Sequence, residues 1–167
     1  RDWSSDVCSS DLERLRGSLS PLDLPADFPR PSVPSFRGAT ELMVLSQRLV
    51  DALKELSRGQ GATLYMTLLA AFKALLYRLT GERDIIVGAP MAGRERLETE
   101  RLIGFFVNTH ALRTDVSGDP PFTQLLSRVR ETVLGACSHQ NLRLEPLLQG
   151  LQTQRQPGRH QLFQVVF

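Results

Sequence analysis

Apolar positions along this chain change period several times, and each change predicts an element. Leu49, Val50, Leu53 and Leu56 recur at helical spacing behind Ser46, a residue suited to cap a helix N-terminus, and Gly59 supplies a stop. A second helix is predicted over about Thr63–Leu79; it is apolar nearly all round, interrupted by Lys73, and should lie against a sheet with little contact with water. Thr80-Gly81-Glu82 ends it, and Asp84 to Ala89, β-branched and bounded by glycine and proline, reads as a buried strand. The strand leaves through a small-residue loop from Gly88 to Arg94.

Ile103 to Arg113 places Ile103, Phe105 and Val107 on one side and Phe106 and Leu112 on the other, which predicts an interior strand covered on both faces. Ser117-Gly118-Asp119 then turns the chain, with Asp119 as N-cap and Pro120 opening an amphipathic helix that runs to about Ser138. Phe122, Leu125, Leu126, Val129, Val133 and Cys137 share its apolar face, so Cys137 is expected to be a small buried core residue. A short helix near Leu144–Leu151 and a last strand, Leu162–Phe167, complete the pattern; Phe36–Leu45 adds an earlier strand with Gly38 as a bulge. Strands alternating with helices imply an α/β layer structure with a mixed sheet covered by helices.

Composition narrows the function classes. Apolar and charged fractions of 41% and 23% are those of an ordinary globular domain, and a formal charge of +2 is too small to favour nucleic acid or a membrane surface. Of 20 basic residues only Lys54 and Lys73 are lysine, and the arginines are scattered instead of clustered as phosphate clamps would require. Cys8 and Cys137 fit no metal spacing. The apolar stretch Ala62–Tyr77 is shorter than the ~20 residues of a bilayer span. Residues 1–12 read as the translation of a sequencing adapter and are left out of the fold. Residues 13–35, with prolines at 21, 25, 29, 31 and 34, read as an extended connector, and residues 36–167 as the folded unit. The chain stops inside an apolar run, which reads as a truncated domain.

Chemistry-bearing residues are few. Asn108 and Thr109 sit at the centre of the most apolar strand; a buried amide left without partners costs about 1–3 kcal/mol, so Asn108 either ties backbone together or faces a ligand-bearing cavity. Gly88, Pro90, Gly93 and Arg94 form a turn whose glycines let another surface approach the backbone closely. Gly59-Gln60-Gly61 lacks a third glycine for a dinucleotide loop, and no Gly-Lys-Ser/Thr follows Gly93. The three histidines, His110, His139 and His160, are not adjacent to one another.

Five stretches in register carry a resemblance: L-P-A-D-F-P-R-P (Leu24–Pro31), I-I-V-G-A-P-M-A-G-R (Ile85–Arg94), I-G-F-F-V-N-T (Ile103–Thr109) followed by Arg113, H-Q-N-L-R-L-E (His139–Glu145) and R-H-Q-L-F-Q (Arg159–Gln164). Together they resemble the carboxy-terminal half of nonribosomal peptide synthetase condensation domains, over about Arg14 to Phe167. The resemblance departs at Asn141, Arg143 and Leu144, where Asp, Pro and Phe are usual, and at His160 and Gln161. It implies a chloramphenicol acetyltransferase-like lobe and a parent enzyme that forms an amide between a carrier-bound acyl or peptidyl thioester and a carrier-bound aminoacyl amine.

By the same resemblance, Gly88, Pro90, Gly93, Arg94, Asn108 and Thr109 lie near the substrate tunnel or the contact between lobes, and Arg113 is an ion-pair partner. The expected partners are an N-terminal lobe, peptidyl carrier proteins and adjacent synthetase domains, in the cytoplasm. No cofactor or metal is expected on the lobe itself, phosphopantetheine arriving as the arm of the carriers. The family's histidine pair is absent from this sequence, so no catalytic residue is assigned and the segment alone is expected to be inactive. Alternatives are an epimerisation or ester-forming member of the same superfamily, and a non-catalytic condensation-like module that recruits other proteins. Epimerisation domains usually lack the V-N-T wording, which counts against the first.

Overall fold

A computed structural model describes Leu15, Gly17, residues 22–28, 35–93, 97–139, Leu148 and residues 160–167. Its elements are α1 (Gln47–Gly59), α2 (Leu64–Thr80), β1 (Asp84–Ala92), α3 (Leu97–Glu100), β2 (Val107–Asp115) and α4 (Phe122–Ser138). Residues 1–12, Arg94, Gln140 to Glu145 and all but Leu148 of the expected Leu144–Leu151 helix lie outside the described residues.

The helix ends follow from local chemistry. Ser46 Oγ accepts from the Leu49 amide and starts α1; Thr63 Oγ1 accepts from the Met66 amide and starts α2. Gly81 ends α2 at φ +74°, a left-handed position that favours glycine. The start of α4 differs from expectation: Asp119 takes φ +46°, outside the extended geometry an N-cap needs, and Pro121 stands at the cap instead.

β1 and β2 pair antiparallel from Asp84↔Asp115 to Ala92↔Val107. The C-terminal segment lies along the other edge of β1 as a parallel bridge at Gly88↔Val166, where the Gly88 amide donates to Val165 and the Phe167 amide to Gly88. Antiparallel and parallel pairing on one strand makes the sheet mixed. Alternation sends Ile85, Val87, Ala89 and Leu112 into one core with Leu69, Ala70 and Leu76 of α2 and Leu125, Leu126, Val129 and Val133 of α4. Ile86 goes to the opposite face, with Leu15, Leu162, Phe163 and the partly buried Ala111. β1 is thus covered on both sides, as its continuous apolar run requires. Leu22 of the proline-rich stretch also joins the larger core, and residues 22–28 form no helix or strand.

Four further expectations are corrected. Ile103 to Phe106 lie before β2, not in it; Ile103 is 105% exposed and Phe105 91%. Phe36 to Leu45 form no strand, and Phe36, Leu42, Met43 and Val44 are exposed, because no neighbouring strand among the described residues meets them. Cys137 is exposed, since the face of α4 that continues the core from Val133 passes through Ala136, which packs against it, and not through Cys137. Finally, α2 is not covered all round: Tyr65, Leu75 and Leu79 reach solvent, and the buried face is Met66, Thr67, Leu69, Ala70, Lys73 and Leu76.

Lys73 is the polar centre of the fold. It is fully buried, and Nζ donates to Ile85 O at 3.2 Å, Leu112 O at 2.7 Å and Thr114 Oγ1 at 2.8 Å. One ammonium therefore joins α2 to both strands. Burial lowers its pKa from 10.5 to about 7, opposed by the nearby Asp84 carboxylate. Should the amine lose its proton, the Thr114 hydroxyl can turn and donate to the Nζ lone pair, so either state is hydrogen-bonded. Asp84 itself is gripped by Arg113, whose Nε donates to both carboxylate oxygens at 3.0 and 2.9 Å. Arg113 is an ion-pair partner, as expected.

Candidate functional site

Of the expected site residues, Pro90, Gly93, Asn108 and Thr109 lie toward the end of the β1–β2 ladder away from Lys73, and Gly88 lies at its middle. Register places Met91 opposite Asn108, Pro90 opposite Thr109, Ala89 opposite His110 and Gly88 opposite Ala111. Asn108 and Thr109 are both half-buried, but strand alternation sends them to opposite faces of the sheet. Asn108 shares the helix-covered face with His110, and Thr109 shares the other with Pro90 and Gly88.

Gly88 and Gly93 have explicit packing reasons. A Cβ on Gly88 would fall 2.5 Å from the ring of Phe163, so glycine is what lets the C-terminal segment lie against β1. A Cβ on Gly93 would fall 2.6 Å from Phe106 O, the same oxygen that accepts from the Gly93 amide at 2.8 Å. Gly93 therefore closes the β1 end against the segment that leads into β2. Pro90 is exposed near the strand end, where its missing N–H costs little. Arg94 follows directly and lies outside the described residues.

The three histidines occupy separate elements. His110 lies buried on β2, and Asn108 Nδ2 is 3.4 Å from its Nε2. His139 is the C-cap of α4; its backbone amide donates to Ala136, and its Nδ1 lies 3.0 Å from Gly135 O, so it closes the helix. His160 stacks on Phe163, and its Nδ1 accepts from the Leu162 and Phe163 amides. Partial burial lowers its pKa below the usual histidine value.

The geometry does not bring two histidines, or a histidine and a carboxylate, together as an acid–base pair among these residues. What it does build is a polar pair, Asn108 and His110, toward the Ala92↔Val107 end of the sheet. Sequence reasoning singled out Asn108 and missed His110, whose i, i+2 spacing on a strand was the available signal. Among the described residues no cluster of His, Cys, Asp and Glu could hold a metal ion, and no single helix is long and apolar enough to cross a membrane.

Comparison with known proteins agrees with this architecture. The family model for the condensation domain matches residues 12–167. A linear gramicidin synthase polypeptide of Brevibacillus parabrevis is 51% identical over 172 aligned residues, which take in all of this chain and 2% of that protein. A surfactin synthase polypeptide of Bacillus subtilis (strain 168) is 46% identical over 93% of the chain and 4% of its own length. The chain thus spans a few hundredths of the relatives it matches. Among solved structures, the X-domain from teicoplanin biosynthesis superposes with a TM-score of 0.91 at 29% identity, over 99% of this chain and 38% of that one. The first condensation domain of the calcium-dependent antibiotic synthetase, in complex with a substrate analogue, gives 0.57 at 29% identity over 60% of this chain and 24% of its own. With the helix-covered mixed sheet and the V-N-T strand already in place, these matches establish that the chain belongs to the condensation domain family of nonribosomal peptide synthetases.

Proposed function

We propose that this chain is the carboxy-terminal lobe of an amide-forming condensation domain and supplies one wall of its reaction chamber. In the reaction, the amine of a carrier-bound aminoacyl group attacks the carbonyl of an acyl or peptidyl thioester on a second carrier. The new C–N bond forms, the C–S bond breaks, and the proton lost by the amine goes to the departing thiolate of the phosphopantetheine arm. The amine has to attack unprotonated, and the tetrahedral oxyanion needs hydrogen-bond donors. On this reading the proton-transfer residues come from an N-terminal lobe. Gly88, Pro90, Gly93, Arg94, Asn108 and Thr109 shape the tunnel or the contact between lobes. The partners are that lobe, peptidyl carrier proteins and neighbouring synthetase domains, and the place of action is the cytoplasm.

The observation that carries the proposal is the family match across residues 12–167, together with a polar pair toward the Ala92↔Val107 end of the sheet. Its test uses the full-length protein with both carriers loaded, product being read by mass spectrometry of the acceptor carrier. Condensed product is expected, and Asn108→Ala lowers its yield. Hydrolysis of the donor with no transfer to the amine would refute the proposal.

A second reading has its own support. The X-domain that superposes so closely has also been solved in a complex with OxyB, so a domain of this fold can serve as a docking platform. Under that reading the full-length protein transfers no acyl group and instead retains a separate protein on a sizing column.

A further inference from the structure

Backbone groups alternate along an antiparallel strand between its two edges, and the bonds of β1 fix which way each residue of β2 points. Gly88 directs its amide and carbonyl to the C-terminal segment, through Val165 O and the Phe167 amide, so it exchanges no bonds with Ala111 opposite. Thr109, opposite Pro90, and Val107, opposite Ala92, follow at intervals of two, and the N–H and C=O groups of all three face away from β1. At Arg113, the next in this series, the outward carbonyl is taken, since Thr132 Oγ1 of α4 donates to it at 3.2 Å.

From Val107 to Ala111, about 14 Å of strand, the outer edge is open. β2 is the margin of its sheet, and among the described residues no hydrogen bond reaches these outward groups. Val107 is exposed, Thr109 and Ala111 are half-buried, and the Thr109 hydroxyl has no hydrogen-bond partner among the described residues. An open edge usually carries a lysine, a proline or a bulge that keeps other chains off. Val107-Asn108-Thr109-His110-Ala111 carries none, and its register runs one to one.

We propose that this edge holds the phosphopantetheine arm of a carrier in extended form, the Thr109 amide donating to an arm carbonyl and the Thr109 carbonyl accepting from an arm N–H. This deepens the proposed function and rests on it. The arm is a linear chain whose two amides present the same groups as a peptide strand. The edge is short, is closed by α4 at Arg113, and is continuous with Pro90 and Asn108 of the expected tunnel. Backbone pairing reads the arm and not the acyl group it carries, so it serves any substrate. Donor and acceptor carriers bear the same arm, and the test separates them.

Amide formation by the full-length protein is measured with one carrier loaded and the other substrate supplied as its pantetheine thioester or as its ethanethiol thioester, which lacks both amides. Thr109→Pro removes the outward N–H and no β1–β2 bond, a position where a strand accepts proline. It should raise KM for one pantetheine thioester roughly three- to tenfold, the size expected for one hydrogen bond, and not KM for the matching ethanethiol thioester. Thr109→Val keeps the N–H and should recover most of that loss. The substrate whose pantetheine form responds identifies the carrier.

Equal rises for both thioesters, or none for either, would overturn the inference. If Thr109→Pro does not fold, the wild-type protein is given pantetheine thioesters methylated at both amide nitrogens, and KM values equal to those of the parent compounds overturn it equally. Slow hydrogen exchange at the Thr109 and Ala111 amides without substrate would place a protein strand on the edge and overturn it as well. A wild-type protein that forms no amide between loaded carriers would refute the proposed function, and the inference with it.

Discussion

Replacing Lys73 by methionine gives a cost that depends on pH, and the structure supplies its size. Methionine keeps much of the length and bulk of the side chain but donates to none of Ile85 O, Leu112 O and Thr114 Oγ1. Leaving a buried acceptor short of a partner costs about 1–3 kcal/mol, partly relieved where a carbonyl keeps a second bond, so a total near 2–4 kcal/mol is expected with the lysine neutral. The wild-type protein carries its own cost at lower pH. Its Lys73 has a pKa of about 7 when folded against the ordinary 10.5, so between these limits the unfolded chain binds the extra proton. Stability from this group therefore rises with pH across that window, at no more than about 1.4 kcal/mol per unit, and is flat below it. It follows that the full cost of Lys73→Met is felt only above pH 10.5, that about 2 kcal/mol of it is gone at pH 9, and that near pH 7, where the wild type has lost about 4 kcal/mol, the substitution is neutral or stabilising. Urea denaturation of wild type and variant at several pH values between 6 and 10 measures the difference. A cost that stays constant over that range, or a variant more stable than wild type at pH 9, would refute the reasoning.

Two further outcomes follow from the C-terminal segment. Gly88→Ala drives a methyl into the buried Phe163 ring and should destabilise by roughly 1–3 kcal/mol; Phe163→Leu in the same chain should recover part of that, and strictly additive costs in urea denaturation would contradict the contact. His160 has its folded pKa below the ordinary histidine value, so its contribution to holding residues 160–167 is present at neutral pH and weakens as pH falls below about 6.5. Limited proteolysis should cut that segment faster at pH 5 than at pH 7.5, with the difference lost in His160→Ala; equal rates at both pH values would contradict the assignment.

The ends of α1 and α2 were legible in the sequence because they are set locally, whereas the start of α4 was placed two residues early, at Pro120. Ser46, Thr63 and Gly81 act through bonds to residues a few positions away, and their residue types announce those bonds. The strand at Asp84 was equally plain, although it runs on through Pro90 to Ala92. Readings that depended on distant cover fared worse. Periodicity shows which side chains would be buried if something met them, not what meets them; hence Ile103, Phe105 and Phe36 are apolar, strand-like in pattern and exposed. Cys137 sits at helical spacing from Val133, but in the last turn it is Ala136 that faces the core. Lys73 read only as an interruption in an apolar helix, because the three acceptors that define its role come from strands 12, 39 and 41 positions away. At the site, residue order alone grouped Asn108 with Thr109, whereas the pleat separates them and pairs Asn108 with His110.

The central claim, that this chain supplies one complementary wall of an amide-forming chamber, is tested most directly by exchange. Residues 12–167 would replace the matching stretch in the linear gramicidin synthase polypeptide with which the chain shares 51% identity, and amide formation between the two loaded carriers would be followed by mass spectrometry. The account predicts condensed product from the chimera and a reduced amount when Asn108 is alanine. A folded chimera that binds both carriers yet leaves the donor untransferred would contradict it.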